Sequence, residues 1–183
     1  ISCNFSDVKK VDVIIICLPT PLKKNKSPDM SYIFNFAKKI KKYLTNGQVV
    51  ILESTVYPGA TLDLLSYLGI KKKDIGSNFF IVYSPERENP GSKFFNYKST
   101  PKVVSGFSKN CLKIGDMIYA LFVNKRVLLK STGEAEATKL LENLYRSVNI
   151  GLVNEFKIIC DKMNLNVLNI IEAASTKNFG FKK

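Results

Sequence analysis

Residues 11–18, VDVIIICL, form an almost unbroken apolar run rich in β-branched side chains, far shorter than the ~20 residues a membrane helix needs. Such a run suits a strand buried on both faces of a parallel sheet. It recurs at residues 48–53 (QVVILE), 79–83 (FFIVY), 102–106 (KVVSG) and 126–130 (RVLLK). Helical periods lie between. Asp29 caps a stripe of Ile33, Phe36, Ala37, Ile40 and Leu44 that should end near Asn46 and Gly47, and residues 60–68 and 109–122 supply two more helices. Alternation of this kind requires a mainly parallel sheet with helices on both faces, a doubly wound α/β arrangement reaching to about Ser131.

A different pattern follows. Residues 133–163 read as one long helix, with Leu140, Leu141, Leu144, Val148, Leu152, Phe156 and Ile159 at three- and four-residue steps. Lys139 and Asn143 stand one turn apart on it and can reach one point. They either close an internal network or act together as an ammonium and an amide that stabilise a developing oxyanion. Glu136 is a partner for Lys139 or an exposed helix residue. A second helix over residues 166–175 has Asn166 as its cap.

Ligands of doubly wound sheets bind outside the carboxyl ends of the strands, where loops converge. Three loops of unusual chemistry occupy that position. Pro19, Thr20 and Pro21 follow the first strand; residues 53–59, containing Ser54 and Thr55, follow the second; residues 84–91, SPERENPG, follow the third. Thr20 and Thr55 are strand-end hydroxyls that serve a site or satisfy local backbone groups. In the third loop Glu86, Arg87 and Glu88 crowd three charges between prolines, which suits a carboxylate held as a general base, or else a salt-bridged surface loop. A Gly-x-Gly-x-x-Gly turn is absent from the sequence.

Net charge at pH 7 is +13, yet only three of the 28 basic residues are arginine and the lysines are scattered in short runs. Base and phosphate recognition favours arginine's planar fork, so nucleic acid is not the expected partner. Four cysteines without metal-ligand spacing, and no histidine, exclude a conventional zinc site and suit a reducing, cytoplasmic setting. Cys17 and Cys160 are expected as small core residues.

The motifs Leu18-Pro19-Thr20-Pro21-Leu22, Glu53-Ser54-Thr55-Val56-Tyr57-Pro58-Gly59 and residues 84–91, with the helix 135–155 and the segment 172–181, resemble in that order the UDP-glucose/GDP-mannose dehydrogenase family of nucleotide-sugar 6-dehydrogenases. The form of residues 84–91 is most similar to the branch acting on UDP-N-acetylhexosamines, such as UDP-N-acetylglucosamine 6-dehydrogenase. The resemblance implies a Rossmann-like NAD-binding domain over residues 1–131 with its first βαβ unit incomplete, and the start of a helical central domain over residues 132–183. It implies oxidation of a UDP-sugar C6 alcohol to the carboxylate by NAD, for polysaccharide precursor synthesis, and a homodimer formed through the long helix. Pro19, Thr20, Pro21, Ser54 and Thr55 then fall at the cofactor, and Thr55 also places the hydrolytic water. Glu86 falls at thioester hydrolysis, Lys139 and Asn143 at the C6 oxyanion, and Arg87 and Glu88 with them at the substrate. The family's Gly-rich turn is expected before Ile1 and its nucleophilic cysteine after Lys183, so the chain reads as an internal fragment, inactive alone. Asn178 stands where the family usually has proline. Two rival readings are a β-hydroxyacid-dehydrogenase-like enzyme, which also keeps a Lys-x-x-x-Asn pair on a long helix, and a basic α/β module that binds anions.

Overall fold

The computed structural model describes residues 2–87 and 98–181, in two compact units, Ile1–Leu140 and Leu141–Lys183. In the first, five strands lie side by side in chain order: β1 (Val13–Ile16), β2 (Val49–Leu52), β3 (Phe80–Tyr83), β4 (Lys102–Gly106) and β5 (Arg126–Leu129). Neighbours pair parallel except β3 with β4, which is antiparallel. The expected mainly parallel α/β sheet is therefore present, with one reversed step.

The period of two along each strand decides which layer a residue joins. Val50 and Leu52 of β2 enter a core with Ile33, Ala37 and Ile40 of α1 (Ser31–Ile40) and Leu64 and Leu68 of α2 (Ala60–Leu68). Val49 and Ile51 enter a second core on the other face, with Val82, Val104 and Tyr119 of α3 (Lys109–Ala120). Each fully buried aliphatic side chain contributes about 1.5–3 kcal/mol before ordering costs. Helix α3 lies close on the sheet at Gly115, where an added Cβ would come 2.9 Å from Val82 Cγ1 and 3.1 Å from Val104 Cγ1.

Four expectations need correction. Residues 11–18 are not buried on both faces: Ile14 and Ile16 are covered by the first core, whereas Ile15 is 48% exposed. Cys17 lies on the same open side and is exposed instead of being a core residue. The first helix also ends earlier than its apolar stripe suggested, passing at Lys41 into a 3-10 turn over Lys41–Tyr43. Gln48 explains the stop. Its side-chain oxygen accepts from Thr45 N at 2.8 Å, and its amide donates to the carbonyls of Val8 and Val11 at 2.7 and 2.8 Å. That network organises residues 45–48 as a turn. Asp29 does bond Ser31 N at 3.0 Å, though the capping position itself is Met30.

Helix α2 matches its expected bounds because Gly59 and Gly69 flank it at φ of +101° and +70°, values L side chains avoid.

The long helix α4 (Thr132–Lys162) contributes its first turns to the sheet unit. The second unit is a helical hairpin. Asn164, at φ 58°, turns the chain, and Asn166 Oδ1 caps α5 (Val167–Ser175) by accepting from Leu168 N at 2.9 Å and Asn169 N at 3.3 Å. Cys160 is buried in this unit, as expected from the sequence, while Leu141, Leu144, Val148 and Leu152 are exposed.

Candidate active site

The reversed step at β4 builds the site. Tyr83 pairs with Ser105, so each residue beyond the end of β3 meets one nearer the start of β4. Side chains continue the zipper past the ladder: Ser84 Oγ donates to the Val103 carbonyl at 2.7 Å and Arg87 Nη1 to that of Pro101 at 2.6 Å. Glu86 thereby arrives opposite Lys102, with Oε2 3.5 Å from Nζ.

Lys102 is 3% exposed. Its ammonium also lies 3.1 Å from Oε1 of Glu53, the residue after β2, and 5.2 Å from the centre of the Tyr119 ring. The Tyr119 hydroxyl donates to the same Glu53 oxygen. Glu53 Oε2 lies 3.6 Å from Cys17 Sγ. Although Cys17 is exposed as a residue, burial of its sulfur, and then the Glu53 carboxylate beside it, push the thiol up to about 11. It stays protonated at neutral pH.

Glu86 is held at several points. Its Oε1 accepts from Arg87 N at 2.7 Å, its main-chain oxygen accepts from Lys139 Nζ, and its own N–H donates to the Glu53 carbonyl at 3.4 Å. The sequence-chosen Glu86 and Lys139 are thus brought together, and Arg87 is tied back to the chain ahead of β4.

The first two loops are stitched to each other. Thr20 Oγ1 donates to the Thr55 carbonyl at 2.7 Å, and buried Ser54 Oγ to the Leu18 carbonyl at 2.7 Å. Their hydroxyls therefore support the loops, leaving Pro19 and Pro21 on the surface. Asn143 is placed otherwise, its Oδ1 accepting from Arg146 Nη2 at 2.7 Å. Glu88 lies outside the described residues.

Glu136 is neither exposed nor a partner of Lys139 among the bonds seen. It is 0% exposed, and its carboxylate accepts from Gly59 N at 2.6 Å, Thr61 N at 2.8 Å and Thr61 Oγ1 at 2.5 Å. It caps α2 from a helix far along the chain, satisfying donors that helix starts leave open. Sequence reasoning passed over Glu53, Lys102, Tyr119 and the true place of Glu136. The available signal was a charge at the head or tail of an otherwise apolar strand, as in residues 48–53 and 102–106.

The residues present fit part of an NAD molecule. Pro19, Thr20, Pro21 and Thr55 are uncharged and at least partly exposed, chemistry compatible with a ring or a ribose. The N-terminus of α2, already filled by the Glu136 carboxylate, offers no place to a pyrophosphate.

Residues 2–123 match the NAD binding domain of the UDP-glucose/GDP-mannose dehydrogenase family, and residues 133–183 match its central domain. Protein CapL of Staphylococcus aureus is 40% identical over 180 residues, covering 95% of this chain and 42% of CapL. The UDP-N-acetyl-D-glucosamine 6-dehydrogenase of Pseudomonas aeruginosa is 37% identical with the same coverage of each. Among solved structures, the UDP-D-ManNAc dehydrogenase from Pyrococcus horikoshii superposes with a TM-score of 0.88 at 32% identity, over 98% of this chain and 43% of that one. The chain thus spans about 42% of the length of the relatives it matches. With the mainly parallel sheet and two ordered domain matches in agreement, the chain belongs to the UDP-glucose/GDP-mannose dehydrogenase family.

Proposed function

We propose that this chain supplies the cofactor wall and part of the catalytic crevice of an NAD-dependent oxidation of a UDP-N-acetylhexosamine at C6, in the making of surface polysaccharide precursors. The balance is RCH2OH + 2 NAD+ + H2O → RCOO− + 2 NADH + 3 H+. The observation that carries this reading is the clamped Glu86, whose carboxylate stands at the end of β3 between Arg87 N and Lys102 while Lys139 grips its main chain. A fixed carboxylate that remains half open to solvent suits a general base acting on water.

NAD, when bound, would supply the hydride acceptor for both oxidations. This chain's own residues take the following parts. Pro19, Thr20, Pro21, Ser54 and Thr55 shape the wall that orients the cofactor, and Thr55 helps to aim the water. Glu86 receives that water's proton. Lys139, and Asn143 one helical turn later, donate to the oxyanion at C6, and Arg87 and Glu88 contribute to holding the sugar. The division of labour falls near residue 131, between an NAD-binding part and a central part.

Replacement Glu86→Gln keeps the shape and removes the base. In the whole protein, with UDP-N-acetyl-D-glucosamine and UDP-N-acetyl-D-mannosamine each tried as substrate, kcat should fall by about 10²–10⁴-fold with KM little changed. A variant that turns over at the parent rate would rule out Glu86 as the base.

The reading extends to assembly. Leu141, Leu144, Val148 and Leu152 are all more than half exposed, an apolar stripe that a second copy of the helix would cover in a homodimer. Light scattering of the whole protein should give twice the subunit mass, and Leu144→Lys with Leu152→Lys should halve it. The four cysteines are free, which suits a reducing, cytoplasmic site of action; no helix among the described residues is long and apolar enough to cross a membrane.

A further inference from the structure

We infer that Lys102 is a positioning residue for Glu86, with Glu53 and Tyr119 as its anchor, and this rests on the reading of Glu86 as the base. Lys102 acts through Glu86 and not on the substrate. Its ammonium stands between two carboxylates, 3.1 Å from Glu53 and 3.5 Å from Glu86. Those two differ in freedom. The Glu53 side chain is 10% exposed and is pinned by the Tyr119 hydroxyl, whereas that of Glu86 is 45% exposed and can turn to solvent.

The charges decide the outcome. With Lys102 present, one cation sits between two anions and holds the more exposed carboxylate toward the buried one. Without it, the half-exposed Glu86 carboxylate loses the buried cation it is drawn to, whether or not Glu53 keeps its charge, and turns toward solvent. Arg87 N, which holds Oε1, is on the adjacent residue of the same loop and moves with it. Lys102, by contrast, is rooted in the sheet as the first residue of β4. The buried trio therefore converts the rigidity of β2, β4 and α3 into a fixed aim for a solvent-accessible carboxylate. A base displaced by about 1 Å loses on the order of 10²-fold in rate, so the aim matters.

Lys102→Met alone would leave Glu53 as an unpaired buried charge and could unfold the chain. The informative variant is Glu53→Gln with Lys102→Met, which removes both buried charges at similar volume. Kinetics of the whole protein on UDP-N-acetyl-D-glucosamine and UDP-N-acetyl-D-mannosamine, with thermal unfolding alongside, give the test. The double variant should unfold near the parent temperature, lose about 100-fold in kcat, and keep KM within about threefold; Lys102→Arg, which keeps the cation, should recover most of the rate. A folded double variant with kcat within threefold of the parent, while Glu86→Gln is slow, would overturn the positioning role and leave the base in place. If Glu86→Gln itself keeps the parent rate, the base reading fails, and the role of Lys102 goes with it.

Discussion

The sheet unit and the helical hairpin follow opposite policies with the same kinds of residue. Among the described residues of 2–140, two clusters of aliphatic side chains, one on each face of the sheet, are sealed from water, and even ionisable groups such as Lys102 and Glu136 are buried. In residues 141–181 the apolar side chains are as dense, yet among the described residues there Cys160 alone is buried. A sheet gives each helix a broad surface to lie on. Two helices side by side can cover only the stripes that face each other, and the rest of their apolar area stays wet. Local stability should therefore be concentrated in the first unit.

Hydrogen exchange is the most direct way to break this contrast. Amides of β2 and β3 should be protected at least about 10³-fold more than those of α5, because core strands open only with the global transition while a wet hairpin opens locally. Equal protection would show that the hairpin is covered in solution.

Next in size is Glu136→Ala. It leaves Gly59 N, Thr61 N and the Thr61 hydroxyl without their acceptor, and about 3 kcal/mol of the sheet unit's unfolding free energy should go with it in a denaturant titration. Gly115→Val should cost somewhat less, about 2 kcal/mol, by forcing a branched side chain against Val82 and Val104. In the hairpin, Asn166→Ala removes the cap of α5 and should cost about 1 kcal/mol, visible as lost helical circular dichroism with no change in the sheet's transition. If that variant also unfolds the sheet, the two units are not independent.

The smallest effect concerns Cys17. Its thiol is raised from the ordinary 9.0 to about 11, chiefly by burial. A group that binds its proton more tightly when folded stabilises the fold below pH 9, and that contribution is lost as pH rises from 9 to about 11. Alkylation of Cys17 by iodoacetamide should accordingly stay slow at about pH 8 and accelerate only toward about pH 11, despite the residue's exposure. Fast labelling at about pH 8 would mean that the sulfur does not rest beside Glu53.

What could be read beforehand followed from local rules. Helix α2 and strand β4 came out at their expected bounds because glycines and a β-branched run announce their own ends. Asn166 was recognisable as a cap from its place before an apolar stripe. Glu86 and Lys139 stood out because a charge framed by prolines, or set on an apolar helix, is costly to hold in place unless it meets a partner there. The first helix was drawn too long because Leu44 kept the apolar period while the Gln48 side chain, not the period, decided where the helix stops. The buried ion trio was invisible for a related reason. Glu53, Lys102 and Tyr119 are adjacent only once β4 has reversed against β3 and α3 has folded over the sheet. A lysine heading a strand looks the same in sequence whether it ends in water or beneath a carboxylate.

The spacing between Glu136 and Lys139 acts as a phase setting. Glu136 fixes the rotation of α4 by docking in the start of α2, and Lys139, three residues on, meets the Glu86 carbonyl at that rotation. One residue inserted between them would turn the lysine by about 100° and advance it by about 1.5 Å, carrying the ammonium off target while leaving the helix itself intact. Asn143, one turn beyond Lys139 on the same helix, shares that phase, so an insertion after Asn143 would leave both proposed donors in register.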